Sequence, residues 1–91
     1  MLNLIWEADA ELQFLNLLDF VGERNAAAAI RLKSLIDDAL RRTCQFPESG
    51  RPGRVSGTRE LIVHPNYVVV YQITPNAIDV IRLLHARQRY P

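Results

Sequence analysis

The chain holds one cysteine, one lysine, one tryptophan and two histidines in 91 residues. A lone Cys44 cannot close an internal disulfide, so nothing covalent staples the fold. One cysteine and two widely separated histidines supply no clustered ligand spacing, which argues against a zinc site. The glycines between residues 50 and 57 lack the lysine and the following helix of a phosphate-cradling loop. No apolar run approaches the roughly 20 residues that span a bilayer. Met1-Leu2-Asn3-Leu4 has no basic residue ahead of it and acids soon after, unlike a secretory leader. What remains is an ordinary composition, 48% hydrophobic and 23% charged. The expectation is one domain over residues 1–91 in a reducing cytoplasm, needing no cofactor.

A formal net charge of +1 hides an asymmetry. Residues 1–45 hold five Lys/Arg and seven Asp/Glu, whereas residues 46–91 hold six Arg and three Asp/Glu. All six cations of the second half are arginine, the side chain suited to planar, bidentate contact with phosphate or carboxylate. Solubility and local ion pairing would use the same residues, so charge alone names no partner.

Leu2 to Trp6 is short and apolar and predicts a strand. From Glu7 the period changes: Ala10, Phe14, Leu17, Leu18 and Val21 form one stripe of an amphipathic helix, with Glu7, Asp9 and Glu11 complementing its positive end. Gly22 weakens its end, and Asn25 can cap a second helix over residues 26 to about 43. Ala28, Leu32, Leu35, Ile36, Ala39 and Leu40 repeat the stripe there. The short connection makes an antiparallel helical hairpin. Pro47 stops it, and Phe46 is expected to fold back on the core. A bent cationic loop follows, Gly50-Arg51-Pro52-Gly53-Arg54-Val55-Ser56-Gly57-Thr58-Arg59. Three apolar runs, 59–64, 67–73 and 78–85, separated by Pro65-Asn66 and Thr74-Pro75-Asn76, predict an antiparallel meander. The fold class is therefore α+β: an N-terminal strand, a helical hairpin, and a three-stranded meander in one small sheet.

The meander strands are apolar at both parities: Tyr67, Val69, Tyr71 and Ile73, but also Val68 and Val70; Ile78, Val80 and Leu84, but also Ile81 and Leu83. Two helices cover one face of a sheet only. The second face is either curled and partly exposed, or closed by self-association or a partner segment; a partner is the favoured reading.

The residues with chemistry to offer are Arg54, Arg59, Glu60, Arg82, His85, Arg87, Arg89 and Tyr90. Metal-independent RNA cleavage needs a base, an acid and cations for the developing charge. His85, with an imidazole that ordinarily titrates near about pH 6.5, and Glu60 are the proton carriers on offer. Arg59 or Arg82 would hold the phosphate, and Tyr90 would stack on a base. Strand alternation works against this, because Arg82 and His85 point to opposite faces, as do Arg59 and Glu60. The competing readings are that His85 ties the tail through a backbone hydrogen bond and that His64 is a turn residue.

Gly50-Arg51-Pro52-Gly53, Gly57-Thr58-Arg59-Glu60-Leu61, Tyr67-Val68-Val69-Val70-Tyr71 and Ile81-Arg82-Leu83-Leu84-His85-Ala86-Arg87 resemble the RelE/ParE superfamily of type II toxin-antitoxin toxins. The whole chain follows that superfamily's element order. RelE-like members cut mRNA on the ribosome and usually carry a basic residue where this chain has Tyr67; their lysine-rich loop is also missing. ParE-like members poison DNA gyrase, and their last strand commonly ends as Leu84-His85-Ala86-Arg87 does. The resemblance thus implies a ParE-like toxin in a hetero-oligomer with a cognate antitoxin. Arg51, Arg54, Arg59, Arg87, Arg89 and Tyr90 would face gyrase, and the strand face of Tyr67, Val69, Tyr71, Ile81 and Leu83 would take the antitoxin. The alternative is an mRNA endoribonuclease acting on the ribosome through Arg59, Glu60, Arg82, His85 and Tyr90; an inactive antitoxin-binding relative is the third possibility.

Overall fold

The computed structural model describes residues 1–88 and 90. Strand β1 (Asn3–Trp6) leads into helices α1 (Ala8–Arg24) and α2 (Ala26–Gln45). A single 3-10 turn at Pro47–Ser49 and a two-residue strand β2 (Arg51–Pro52) follow, then β3 (Arg59–His64), β4 (Tyr67–Ile73) and β5 (Ala77–His85). The five strands form one sheet in the order β1-β5-β4-β3-β2. The meander is antiparallel throughout, but β1 runs parallel to β5, Leu4 opposite Ile78 and Trp6 opposite Val80. Parallel neighbours need a long crossover. The helical hairpin supplies it, carrying the chain from one edge of the sheet to the other, so that the meander walks back towards β1.

The helix stripes behave as their periodicity predicts. Ala10 and Phe14 of α1 and Leu32, Ile36, Ala39 and Leu40 of α2 pack on Val69, Val80 and Leu83, with Trp6, Leu17, Leu18 and Leu61 at the margin. Trp6 stacks on Phe14 with ring centroids 4.9 Å apart and the planes 3° from parallel. Ile36 and Leu40 have no exposed surface, and each contributes about 1.5–3 kcal/mol by leaving water. Leu35 is the exception on the stripe and remains largely exposed. At the junction the Asn25 side chain accepts from the Ala28 amide at 3.0 Å, and α1 runs past Gly22 to Arg24. Arg24 secures that last turn by donating to the Phe20 carbonyl at 2.8 Å, a cation at the negative end of the helix.

Three expectations change. First, the double parity of β5 has a local cause: the register with β4 shifts between Val70 and Tyr71, leaving Ile81 as the extra residue of a bulge. The bulge turns both Val80 and Leu83 to the helices, and the freed Leu83 amide is taken by the side chain of Gln13 on α1 at 3.0 Å. Second, the outer face is not an open apolar surface. Val68, Val70 and Leu84 are buried, and Tyr90 of the chain's own tail packs with Val70 and Leu84; Ile62 on β3 and Ile5 on β1 are apolar residues left exposed there. Third, Phe46 does not fold back: it is 67% exposed. Tyr71 anchors this connection instead, its hydroxyl donating to the Pro47 carbonyl at 2.6 Å and accepting from the Gly50 amide at 3.0 Å. A Cβ on Gly50 would stand 2.7 Å from that hydroxyl oxygen, so the close approach requires glycine.

Among the described residues no helix is long and apolar enough to cross a membrane.

Candidate functional site

The arginine loop and the tail meet on the outer face of the sheet, and the residue that joins them is Glu60. Strand alternation sets its direction: Arg59 pairs with Tyr71 on the helix side, so Glu60, opposite Val70, points outward. Its carboxylate is 4% exposed. Arg51 donates to Oε1 from Nε at 3.3 Å and from Nη2 at 3.1 Å. The Arg54 backbone amide donates to Oε2 at 3.2 Å, and the Tyr90 hydroxyl donates to the same oxygen. The Arg54 guanidinium lies over the Tyr90 ring, 5.0 Å from its centroid, in range of a cation–π interaction.

Electrostatics follow from this crowding. Burial pushes the Glu60 carboxyl up, but the hydrogen bonds from Tyr90, the Arg54 amide and Arg51, together with the Arg51 charge, outweigh it and leave the group below its ordinary value. The Tyr90 phenol moves the other way. Burial raises it, and donating to a neighbouring carboxylate raises it further, against a smaller opposing effect of Arg54. The carboxylate is a held anion at neutral pH and the phenol a held donor.

Arg51, Arg54, Glu60 and Tyr90 are thus brought together. Arg82, opposite Val70 on β5, shares their face at a distance of two strand spacings from Glu60, roughly 10 Å. Arg59 is not part of the group. It lies on the helix side of β3, donating to the Gly50 carbonyl at 2.6 Å and the Glu48 carbonyl at 3.4 Å, and so braces the start of the loop. His85, opposite Tyr67, also falls on that side. Its Nδ1 accepts from the Arg87 amide at 3.2 Å, which is the tail-tying role, and Arg87 itself is exposed. His64, expected in the turn, is the last residue of β3 and braces the turn that follows, its Nδ1 accepting from the Asn66 amide at 3.0 Å. Arg89 lies outside the described residues.

The strand residues expected to receive an antitoxin divide in two. Val69, Tyr71 and Leu83 are buried beneath the hairpin, which corrects their placement on an open face; the β5 bulge and the helix-side parity of β4 put them in the core. Tyr67 and Ile81 keep part of their surface. Tyr67 sits between the two imidazoles, its ring centroid 5.3 Å from that of His64 and 5.7 Å from that of His85. It lines a groove of about 460 Å³ with Val21, Arg31, Leu35, His64 and Asn66. Sequence reasoning missed Gln13, Arg31 and the anchoring hydroxyl of Tyr71. For Tyr71 a signal existed: a phenol within an apolar run must find a partner once buried.

The profile of a family described as the ParE toxin of the type II toxin-antitoxin system parDE matches residues 4–90. The putative toxin Y4kP of Sinorhizobium fredii is 33% identical over 73 residues, covering 79% of this chain and 75% of that protein. Toxin RelE2 of Caulobacter vibrioides is 28% identical over 86 residues, covering 94% of this chain and 97% of that protein. Among solved structures, a chain of the chromosomal ParDE toxin-antitoxin system from P. aeruginosa superposes with a TM-score of 0.81 at 19% identity, over 93% of this chain and 96% of that one. A YoeB/ParE toxin from Agrobacterium tumefaciens gives 0.65 at 17% identity, over 92% and 98%. At those identities the structural likeness speaks for the fold, which is the RelE/ParE arrangement of hairpin and sheet. The profile match over nearly the whole chain, together with the Y4kP likeness, shows the rest: the chain belongs to the ParE toxin family of type II toxin-antitoxin systems.

Proposed function

We propose that this toxin acts by binding rather than by catalysis, that its target is DNA gyrase, and that the contact surface is the arginine loop with the tail, Arg51, Arg54, Arg87, Arg89 and Tyr90. The observation that carries the non-catalytic reading is the state of Glu60. A general base needs a free lone pair facing its substrate and a pKa near the working pH. Glu60 instead is buried, accepts four hydrogen bonds from three groups, and is held below the ordinary carboxylate range. His85 stands on the other face of the sheet from Glu60 and Arg82, so these two proton carriers do not flank a common phosphate. The choice of gyrase draws on family membership and on the Leu84-His85-Ala86-Arg87 ending. Arg59, committed to backbone carbonyls, braces the loop without touching the target. The cognate antitoxin occupies the groove beside Tyr67, away from the arginine loop.

Expression without antitoxin tests the reading. Filamentation with an SOS response and gyrase-linked DNA breaks is the expected result, abolished in the Arg51→Ala/Arg54→Ala double variant and retained in His85→Ala. Rapid translation arrest with cleaved mRNA, lost in His85→Ala, would establish the endoribonuclease acting on the ribosome instead. Absence of any growth effect would leave a chain that only binds its antitoxin.

A further inference from the structure

The tail beyond β5 is held in two stages. Up to Gln88 it is tied by backbone bonds, Ala86 N to Asn66 O at 2.7 Å and Gln88 N to His85 O at 2.8 Å. Past that point, among the described residues, its attachment to the sheet is the Tyr90 side chain, ring on Val70 and Leu84 and hydroxyl on Glu60. The arginine loop is built similarly. Its tip closes on itself, Gly53 N to Thr58 O at 2.8 Å and Thr58 N to Val55 O at 3.1 Å, with Gly57 at φ 85° where L side chains are disfavoured. Its base is paired to the sheet as β2, Arg51 opposite Glu60 and Pro52 opposite Arg59, and its further attachments on the outer face are the Arg54 amide and the Arg51 guanidinium, both on Glu60.

Two segments some thirty residues apart therefore share one anchor. We propose that Glu60 and Tyr90 are positioning residues that latch the arginine loop to the tail, so that Arg54 is presented in a fixed arrangement beside Arg51 only while Tyr90 is seated. The Tyr90 ring is the surface on which the Arg54 guanidinium rests. Its hydroxyl shares Oε2 with the Arg54 amide, so the same phenol steadies both the backbone and the side chain of Arg54. Arg51 completes the unit from the other oxygen. Withdrawing Tyr90 removes one of two donors from Oε2, takes the apolar floor of Val70 and Leu84 out of cover, and leaves the Arg54 side chain without a resting place. Arg54 then samples more geometries while the base of the loop stays paired to β3, and binding loses part of its preorganisation.

The structural half of this inference stands on the contacts alone; its functional half rests on the target-binding reading above. The two are tested apart. In the purified full chain, amide hydrogen exchange at Arg54 is compared with exchange at the core amides of β4 in wild type, Tyr90→Phe and Tyr90→Ala. Expected are at least a tenfold acceleration at Arg54 in Tyr90→Ala, a smaller one in Tyr90→Phe, which keeps the ring but not the hydroxyl, and unchanged core amides. Equal Arg54 exchange in all three proteins would overturn the latch, and so would acceleration only in step with the core. Should Tyr90→Ala fail to fold, the Phe variant alone decides by the same comparison. In cells, the latch expects Tyr90→Ala to lose growth inhibition as far as the Arg51→Ala/Arg54→Ala double variant does, with Tyr90→Phe partly restoring it. A fully toxic double variant would refute the target surface while the exchange data still judge the latch.

Discussion

The side chain that most economically tests this account is Tyr71, because a single oxygen separates it from phenylalanine. Its ring has no exposed surface, and Tyr71→Phe keeps that ring and its packing with Cys44 and Ile78. What goes is a hydroxyl that donates to Pro47 O at 2.6 Å and accepts from Gly50 N at 3.0 Å. Gly50 is buried, so its amide loses its partner where water cannot replace it, which costs about 1–3 kcal/mol. The Pro47 carbonyl is only partly buried and recovers some of its loss from solvent. The sum is about 2–3 kcal/mol. For a domain of this size each kcal/mol moves the melting temperature by about 4–8 °C, so the variant should melt roughly 8–24 °C lower. Thermal and urea denaturation measure this, and amide exchange at Gly50 localises it. The same residue offers its carbonyl to Arg59 at 2.6 Å, so the entry to the arginine loop is clamped from both sides and should loosen with the amide. A stability loss under about 0.5 kcal/mol, or undiminished protection at Gly50, would show that the hydroxyl is not what anchors the loop.

Asn25→Ala removes the acceptor of the Ala28 amide and should cost about 1 kcal/mol, seen as a lower urea midpoint with unchanged slope. The pH dependence of stability should carry a Glu60 signature. Because its folded pKa lies below the unfolded one, its contribution is full above the ordinary value of 4.5 and is lost as pH falls through the folded value. The gap in urea midpoint between wild type and Glu60→Gln should therefore be widest near neutrality and shrink on acidification, whereas a gap independent of pH would mean that the charge is not what Glu60 contributes. Cys44 is buried, and burial raises its thiol above the ordinary value. It should resist thiol reagents in the folded chain and react promptly once urea unfolds it.

The helices were legible because their stripes are long enough to average out exceptions: from Ala10 to Val21 and from Leu32 to Leu40 the spacing alone names the buried side. Asn25 was legible for the same reason that any cap is, a side-chain oxygen placed where amides lack partners. The sheet was harder. In β5 the apolar residues Val80, Ile81, Leu83 and Leu84 fit either face under strict alternation, and only the bulge at Ile81, stabilised by Gln13 from 70 residues away, sorts them. Nothing local in the sequence marks a bulge whose stabilising partner sits on another element. The parallel partnership of β1 with β5 was likewise invisible, since it depends on which edge the hairpin returns to. In the candidate site, the residue types were all named, but alternation separated Arg59 and His85 from Glu60 and Arg82 as predicted, and the convergence of Arg51, Arg54 and Tyr90 on one carboxylate required a tail that doubles back.

That doubling back alters what the apolar outer face signifies. Val68, Val70 and Leu84 on a sheet with helices on one side only would ordinarily mark a missing partner, and a chain this short has little interior to spare for covering both faces. Here one aromatic side chain covers Val70 and Leu84, and because it is a tyrosine rather than a phenylalanine its burial obliges a hydrogen-bond acceptor. Glu60 is that acceptor, but a buried carboxylate in turn obliges cationic and amide donors, which draws Arg51 and the backbone of Arg54 inward. Closing the face and ordering the arginine loop are therefore consequences of one chain of electrostatic requirements. A change that removed Glu60 but gave Tyr90 some other acceptor would keep Val70 and Leu84 covered and still free the Arg54 amide and the Arg51 guanidinium.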